Sequence, residues 1–154
     1  NDPEETANPA TTEVGSMARI SDIGQREFYV CFFGDMEDPS PYDRFLSSEF
    51  RHVLLLTPLS DSQVLVIDPL IHAVNHNIKN HSIDVVLRKV KSIAGSKIIK
   101  YTRPISRKKK WRFRGLYNCV TLTKAVLNIW CWSITPKQLF KYLIRQGGII
   151  LKAV

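Results

Sequence analysis

The chain has 154 residues, 44% of them hydrophobic and 23% charged, the balance of one ordinary globular domain large enough to bury a core. All 14 acidic residues lie at or before Asp84 with only 5 of the 22 basic ones, so residues 1–84 carry −9 and residues 85–154, which contain no Asp or Glu, carry +17. Three cysteines without motif spacing argue against a disulfide framework, and the longest apolar run, 125–134, is too short to span a bilayer and is broken by Asn128 and Ser133.

The first sixteen residues are polar and acidic, with no apolar signal segment, and read as a flexible tail. The Gly-Ser-Met at 15–17 looks like a cloning scar followed by a natural start at Met17. A soluble chain with one α+β domain over 17–154 is therefore expected, its folded part beginning near Glu27. The run FYVCFF (28–33), aromatic and β-branched, predicts a buried strand ending at Gly34. A loop and a short helix over YDRFLSSE follow. FRHVLLLT (50–57) and QVLVIDPL (63–70) predict a hairpin across PLSDS, and residues 72–81 read as irregular and polar. IDVVLRKV and KIIKYTR predict two more strands. RKKKWRFRG is a basic loop or edge strand, and helices are predicted over 118–129 and from a Thr135 cap, with Pro136 at the first helical position, to Gly147–Gly148. The expected fold is α+β, an antiparallel sheet of about five strands packed against C-terminal helices.

In the hairpin, placing Thr57 opposite Gln63 makes the pairs Leu56–Val64, Leu55–Leu65, Leu54–Val66 and Val53–Ile67 all apolar. The same register sets His52 opposite Asp68 on one face, with Cβ atoms about 5 Å apart. A carboxylate there fixes the imidazole tautomer and leaves the other ring nitrogen to act as a base. Downstream, Cys119 shares a helical stripe with Leu122, Val126 and Ile129. It falls in the first turn of its helix, where unpaired amides favour a thiolate. A small packed residue occupies such a position equally well.

The segments FRHVLLL, VLVID and YNCVTLTKAVL, histidine before cysteine and an Asn-Cys pair, resemble the circularly permuted NlpC-type branch of the papain-like cysteine hydrolases, which includes the lecithin:retinol acyltransferase relatives. With the final TPKQLFKYL, the chain is also similar to uncharacterised phage-encoded proteins, which implies the cytoplasm of an infected host or a virion as its location. The resemblance implies Cys119 as nucleophile, His52 as base and Asp68 as the group orienting it. The Cys119 amide, with Tyr117 or Asn118, would stabilise the oxyanion. It implies amide or ester hydrolysis, or acyl transfer, through a thioester and without a cofactor.

The cations Arg107, Lys108, Lys109, Lys110, Arg112 and Arg114 alternate with Trp111 and Phe113, a mixture suited to a polyanion: nucleic acid, anionic lipid or cell-wall polymer. A solvated edge strand kept apart by lysine has the same look. Lys137, Lys141 and Arg145 form a further cationic stripe at i, i+4 spacing on the last helix. His72, His76 and His81 with Asp84 lack the pattern of a zinc site, and no metal is expected. Two functions follow: a thiol hydrolase or acyltransferase acting on an anionic substrate, or a non-catalytic phage structural or host-directed protein that docks its basic face on a polyanion.

Overall fold

The computed structural model describes residues 25–34, 48–69, 74–104 and 118–151. Its organising element is β1 (Gln25–Phe33), where Val30, Cys31 and Phe32 are all fully buried. Successive strand side chains point to opposite faces, so an unbroken apolar run makes sense only if both faces are covered. Both are. β1 pairs antiparallel with β2 (His52–Ser60) on one side and with β5 (Lys97–Pro104) on the other. β3 (Gln63–Pro69), β4 (Val74–Lys79) and β6 (Ile149–Leu151) complete a six-stranded sheet in the order β4-β3-β2-β1-β5-β6.

Phe28, Val30 and Phe32 face one way with Val53, Leu55 and Ile99. There they meet Val120 and Leu127 of α2 (Cys119–Val126) and its C-terminal turn, and Leu139 and Leu143 of α3 (Pro136–Arg145). Phe140 of α3 closes edge-on against Phe32, with ring centroids 5.2 Å apart, and lies 5.0 Å from the Phe50 ring. Tyr29 and Cys31 face the other way with Leu56, Val64 and Ile98, under Val86, Leu87 and Val90 of α1 (Ile83–Lys91). The sheet is thus a wall between two separate cores.

The expectation of about five strands with helices only at the C-terminal end is corrected: among the described residues the sheet has six strands, and one of three helices lies between β4 and β5. IDVVLRKV, expected as a strand, is α1. Its β-branched residues suggest a strand, yet Ile83, Val86, Leu87 and Val90 fall at i, i+3, i+4 and i+7. Asp84 in the first turn and Arg88, Lys89 and Lys91 in the last oppose the helix dipole correctly. β4 lies within the stretch read as irregular. All six of its residues are exposed, and the open edge of β3 supplies the pairing that its own composition does not signal. β6 is a further addition that no sequence pattern announces. Gly147 leaves α3 at φ 87°, the Gly148 amide bonds back to the Leu143 carbonyl at 2.9 Å, and three residues then reach the β5 edge.

The two C-terminal helices start as read. Thr135 caps α3 through a reciprocal box with Gln138, with Pro136 in the first turn. Asn118 caps α2 through a box with Thr121. α2 stops at Val126, short of the expected 129, because Asn128 adopts φ 46° and the Ile129 amide bonds back to the Lys124 carbonyl at 3.0 Å. The short helix expected over YDRFLSSE lies mostly outside the described residues, as does the tail. No helix among the described residues is long and apolar enough to cross a membrane.

Burial pushes the Cys31 thiol up to about 12 from its ordinary 9.0. The folded state therefore keeps a proton that the unfolded chain gives up first, and the stability tied to Cys31 is intact below pH 9.0 and lost as pH rises toward about 12. Denaturant unfolding at stepped alkaline pH is expected to show a steeper loss of stability in the parent than in Cys31→Val. Parallel curves would show that Cys31 is not the buried thiol described.

Candidate functional site

The β2–β3 hairpin turns on Asp61 and Ser62, tighter than the five-residue loop expected, with an irregularity between Pro58 and Ser60. The pairs are Leu55–Ile67, Leu56–Val66, Thr57–Leu65 and Pro58–Val64. Every expected pair is thus displaced by two residues. Because side chains alternate with period two, a two-residue slip keeps each on its own face, whereas a one-residue slip would have separated His52 from Asp68. The two are diagonal neighbours, and His52 Nε2 donates to Asp68 Oδ1 at 2.6 Å. The Phe33 ring stacks beside the imidazole at 6.4 Å and 28°. Phe33, Leu54 and Val66 all belong to the α1 side of the sheet, and His52 and Asp68 share their strand phase.

Cys119 opens α2 and packs against the other core, with Val120 and Val126. The structure therefore brings His52 and Asp68 together and sets Cys119 on the opposite side of the sheet. The side-chain oxygen of Asn118 is occupied by the helix cap, accepting from the Thr121 amide at 2.8 Å. Its own amide donates to Thr121 Oγ1, also at 2.8 Å. Tyr117, the cations Arg107, Lys108, Lys109, Lys110, Arg112 and Arg114, and His72 lie outside the described residues. Among the described residues no three metal-ligating side chains cluster.

Two carboxylates of the acidic half do reach the basic half. Glu27 pairs with Lys100 at 2.5 Å, and Glu49 with Lys97 at 2.6 Å. The Lys100 hydrogen bond holds the Glu27 carboxyl below its ordinary 4.5, and that from Lys97 does the same for Glu49, with a smaller contribution from the charge of Lys137. Compensation thus centres on β5. Among the described residues, no ion pair involves Arg88, Lys89 or Lys91 of α1, or Lys137, Lys141 or Arg145 of α3. The three α3 cations are all exposed and lie along one helix face, as their spacing predicts. Arg88, Lys91 and Lys100 also line an open groove between α1 and the β5–β6 edge, together with Tyr29 and Asp84.

One buried cation is not expected from the sequence. Lys124, in the last turn of α2, is only 9% exposed, and its ammonium donates to the carbonyls of Cys131 at 3.0 Å and Ser133 at 2.9 Å. It pins the segment between α2 and α3 in an alternating conformation. Ile129 and Ser133 point in and Cys131 is partly covered, while Trp130, Trp132 and Ile134 point out. The sequence carries one signal, a lone lysine inside the apolar stripe of the preceding helix, spaced with Val120 and Leu127.

Comparison of the chain with protein-family models, curated proteins and solved structures found no match. The residues alone carry the functional argument.

Lys124→Met keeps the apolar stem and removes both bonds, leaving the buried Ser133 carbonyl and the partly buried Cys131 carbonyl without this donor. A loss of about 2 kcal/mol in urea unfolding is expected, from the usual value of charge-assisted bonds less the relief of a buried ion. A loss below about 0.5 kcal/mol, the range of ordinary surface changes, would show that the ammonium does not hold the segment.

Proposed function

We propose that the chain is a binding module that docks the cation-rich face of α3 on a polyanion. The observation that carries this reading is the incomplete compensation of charge. Residues 85–154 hold 17 basic side chains and no Asp or Glu, and the carboxylates that fold back among the described residues bond Lys97 and Lys100 rather than the cations of α1 and α3. Exposed cations that outnumber the carboxylates around them create a positive potential that concentrates anionic polymers and surfaces. The alternating cations and aromatics of 106–115 add to it in sequence.

Binding to heparin and to a single-stranded oligonucleotide is expected to weaken steeply with salt. On the oligonucleotide, the log–log slope should fall by about 0.7 for each phosphate that a variant no longer neutralises. The triple variant Lys137→Gln, Lys141→Gln, Arg145→Gln should flatten that slope. Absence of binding to either polymer at low salt, together with absence of binding to anionic lipid, would reject the reading.

The second reading, a Cys119–His52–Asp68 hydrolase or acyltransferase, is favoured by the 2.6 Å His52–Asp68 bond and by the place of Cys119 at a capped helix start. A thiol handing its proton to an imidazole needs hydrogen-bond reach, directly or through one water, and the sheet lies between these two. Alkylation of Cys119 by iodoacetamide, followed against pH by peptide mass, is expected to be unchanged in His52→Ala. A low apparent pKa that rises in His52→Ala would instead establish the coupled pair.

A further inference from the structure

Trp130, Trp132 and Ile134 are 72%, 88% and 71% exposed, on a segment whose backbone is held at both ends and in the middle. The Ile129 amide is fixed by the Lys124 carbonyl, the Cys131 and Ser133 carbonyls by the Lys124 ammonium, and the Ile134 and Thr135 amides by Gln138 Oε1 at 2.8 and 3.1 Å. Burial alternates along 129–134, and the three exposed side chains fall at i, i+2 and i+4, the spacing that in an extended segment projects side chains on one side about 7 Å apart. The three therefore form a firmly supported apolar ridge. Large apolar side chains gathered and presented to water in this way mark a surface that becomes covered.

What covers it follows from the neighbours. The ridge runs directly into α3, whose exposed Lys137 and Lys141 begin three residues after Ile134. No Asp or Glu follows Asp84 in the sequence, so the ridge has cations and no carboxylate along its own stretch of chain. Indole rings with an aliphatic tip, backed by lysines, match the boundary of an anionic bilayer: rings at headgroup depth, isoleucine toward the acyl chains, ammonium groups on the phosphates. Base stacking uses rings and cations equally well but has no use for Ile134, which offers no π face. Glu49, whose carboxyl feels the charge of Lys137, is engaged by Lys97, and Lys141 and Arg145 pair with no carboxylate among the described residues.

We infer that the Trp130–Trp132–Ile134 ridge inserts into the interface of an anionic lipid bilayer, with Lys137 and Lys141 on the headgroups. This rests on the polyanion reading above and names the surface it serves.

The test uses the full chain with vesicles of phosphatidylcholine and phosphatidylglycerol in equal parts, and with phosphatidylcholine alone. Co-sedimentation and a blue shift of tryptophan emission are expected with the mixed vesicles, and little of either with the neutral ones. Trp132→Ser with Ile134→Ser changes only exposed side chains. It should weaken vesicle binding about tenfold or more while leaving heparin binding and the thermal melt unchanged. Lys137→Gln with Lys141→Gln should weaken both vesicle and heparin binding. Heparin or oligonucleotide binding without vesicle binding would overturn the bilayer inference and leave the polyanion reading standing, whereas failure to bind any of the three would overturn both. Vesicle binding indifferent to Trp132 and Ile134 would overturn the inference, as would a self-associated state, broken by the double serine variant, that hides the ridge from lipid.

Discussion

The burial of β1 on both faces is the constraint from which the rest of the structure follows. Val30 and Phe32 need one cover, Tyr29 and Cys31 another, and the chain supplies α2 with α3 for the first and α1 for the second. β1 also needs a strand on each side, which β2 and β5 provide. Once that strand is central, any pair of residues assigned to opposite covers is separated by the sheet. The chemistry open to His52 and Cys119 is limited by this division before any detail of their surroundings matters.

The parts legible in the sequence were those where a local pattern and the tertiary environment agree. The β1, β2, β3 and β5 segments are apolar and β-branched, and they are strands. The Thr135–Pro136 start and the glycine exit of α3 are local devices that work regardless of context. Where the two levels conflicted, the sequence misled. The β-branched residues of IDVVLRKV masked a helical spacing, and β4 owes its pairing to the exposed edge of β3 rather than to its own asparagines. The register that the sequence predicts for His52 and Asp68 is two residues out, yet the two side chains meet. Their meeting was legible because side-chain parity is more robust than register. The position of Cys119 was legible along its helix but not across the sheet, because a helix start does not reveal which face the helix will cover.

Lys124 illustrates a different limit. A lysine in an amphipathic helix is ordinarily read as part of the solvated side, and its burial depends on carbonyls seven and nine residues further on. Those carbonyls in turn depend on the left-handed Asn128, which reverses the chain after α2. Three local events, a helix stop, a buried ammonium and the cap of α3, convert what composition alone presents as a continuous apolar run into a segment with an inner and an outer side. The outer side carries the two tryptophans, so the most exposed aromatic surface of the described residues is set by hydrogen bonds rather than by hydrophobic packing.

The β1–β5 pairing, running from Gln25–Pro104 to Phe32–Lys97, joins segments far apart in the chain. The β2–β3–β4 meander is made of neighbours and costs little loop entropy to close, but β1 reaches β5 only after everything between them has been brought back. Closure of β5 onto β1 is therefore the long-range step, and until it is made β1 presents the apolar edge that β5 will occupy. A nascent chain released before residue 104 would hold that edge open, and its hazard would be pairing with another copy rather than simple unfolding.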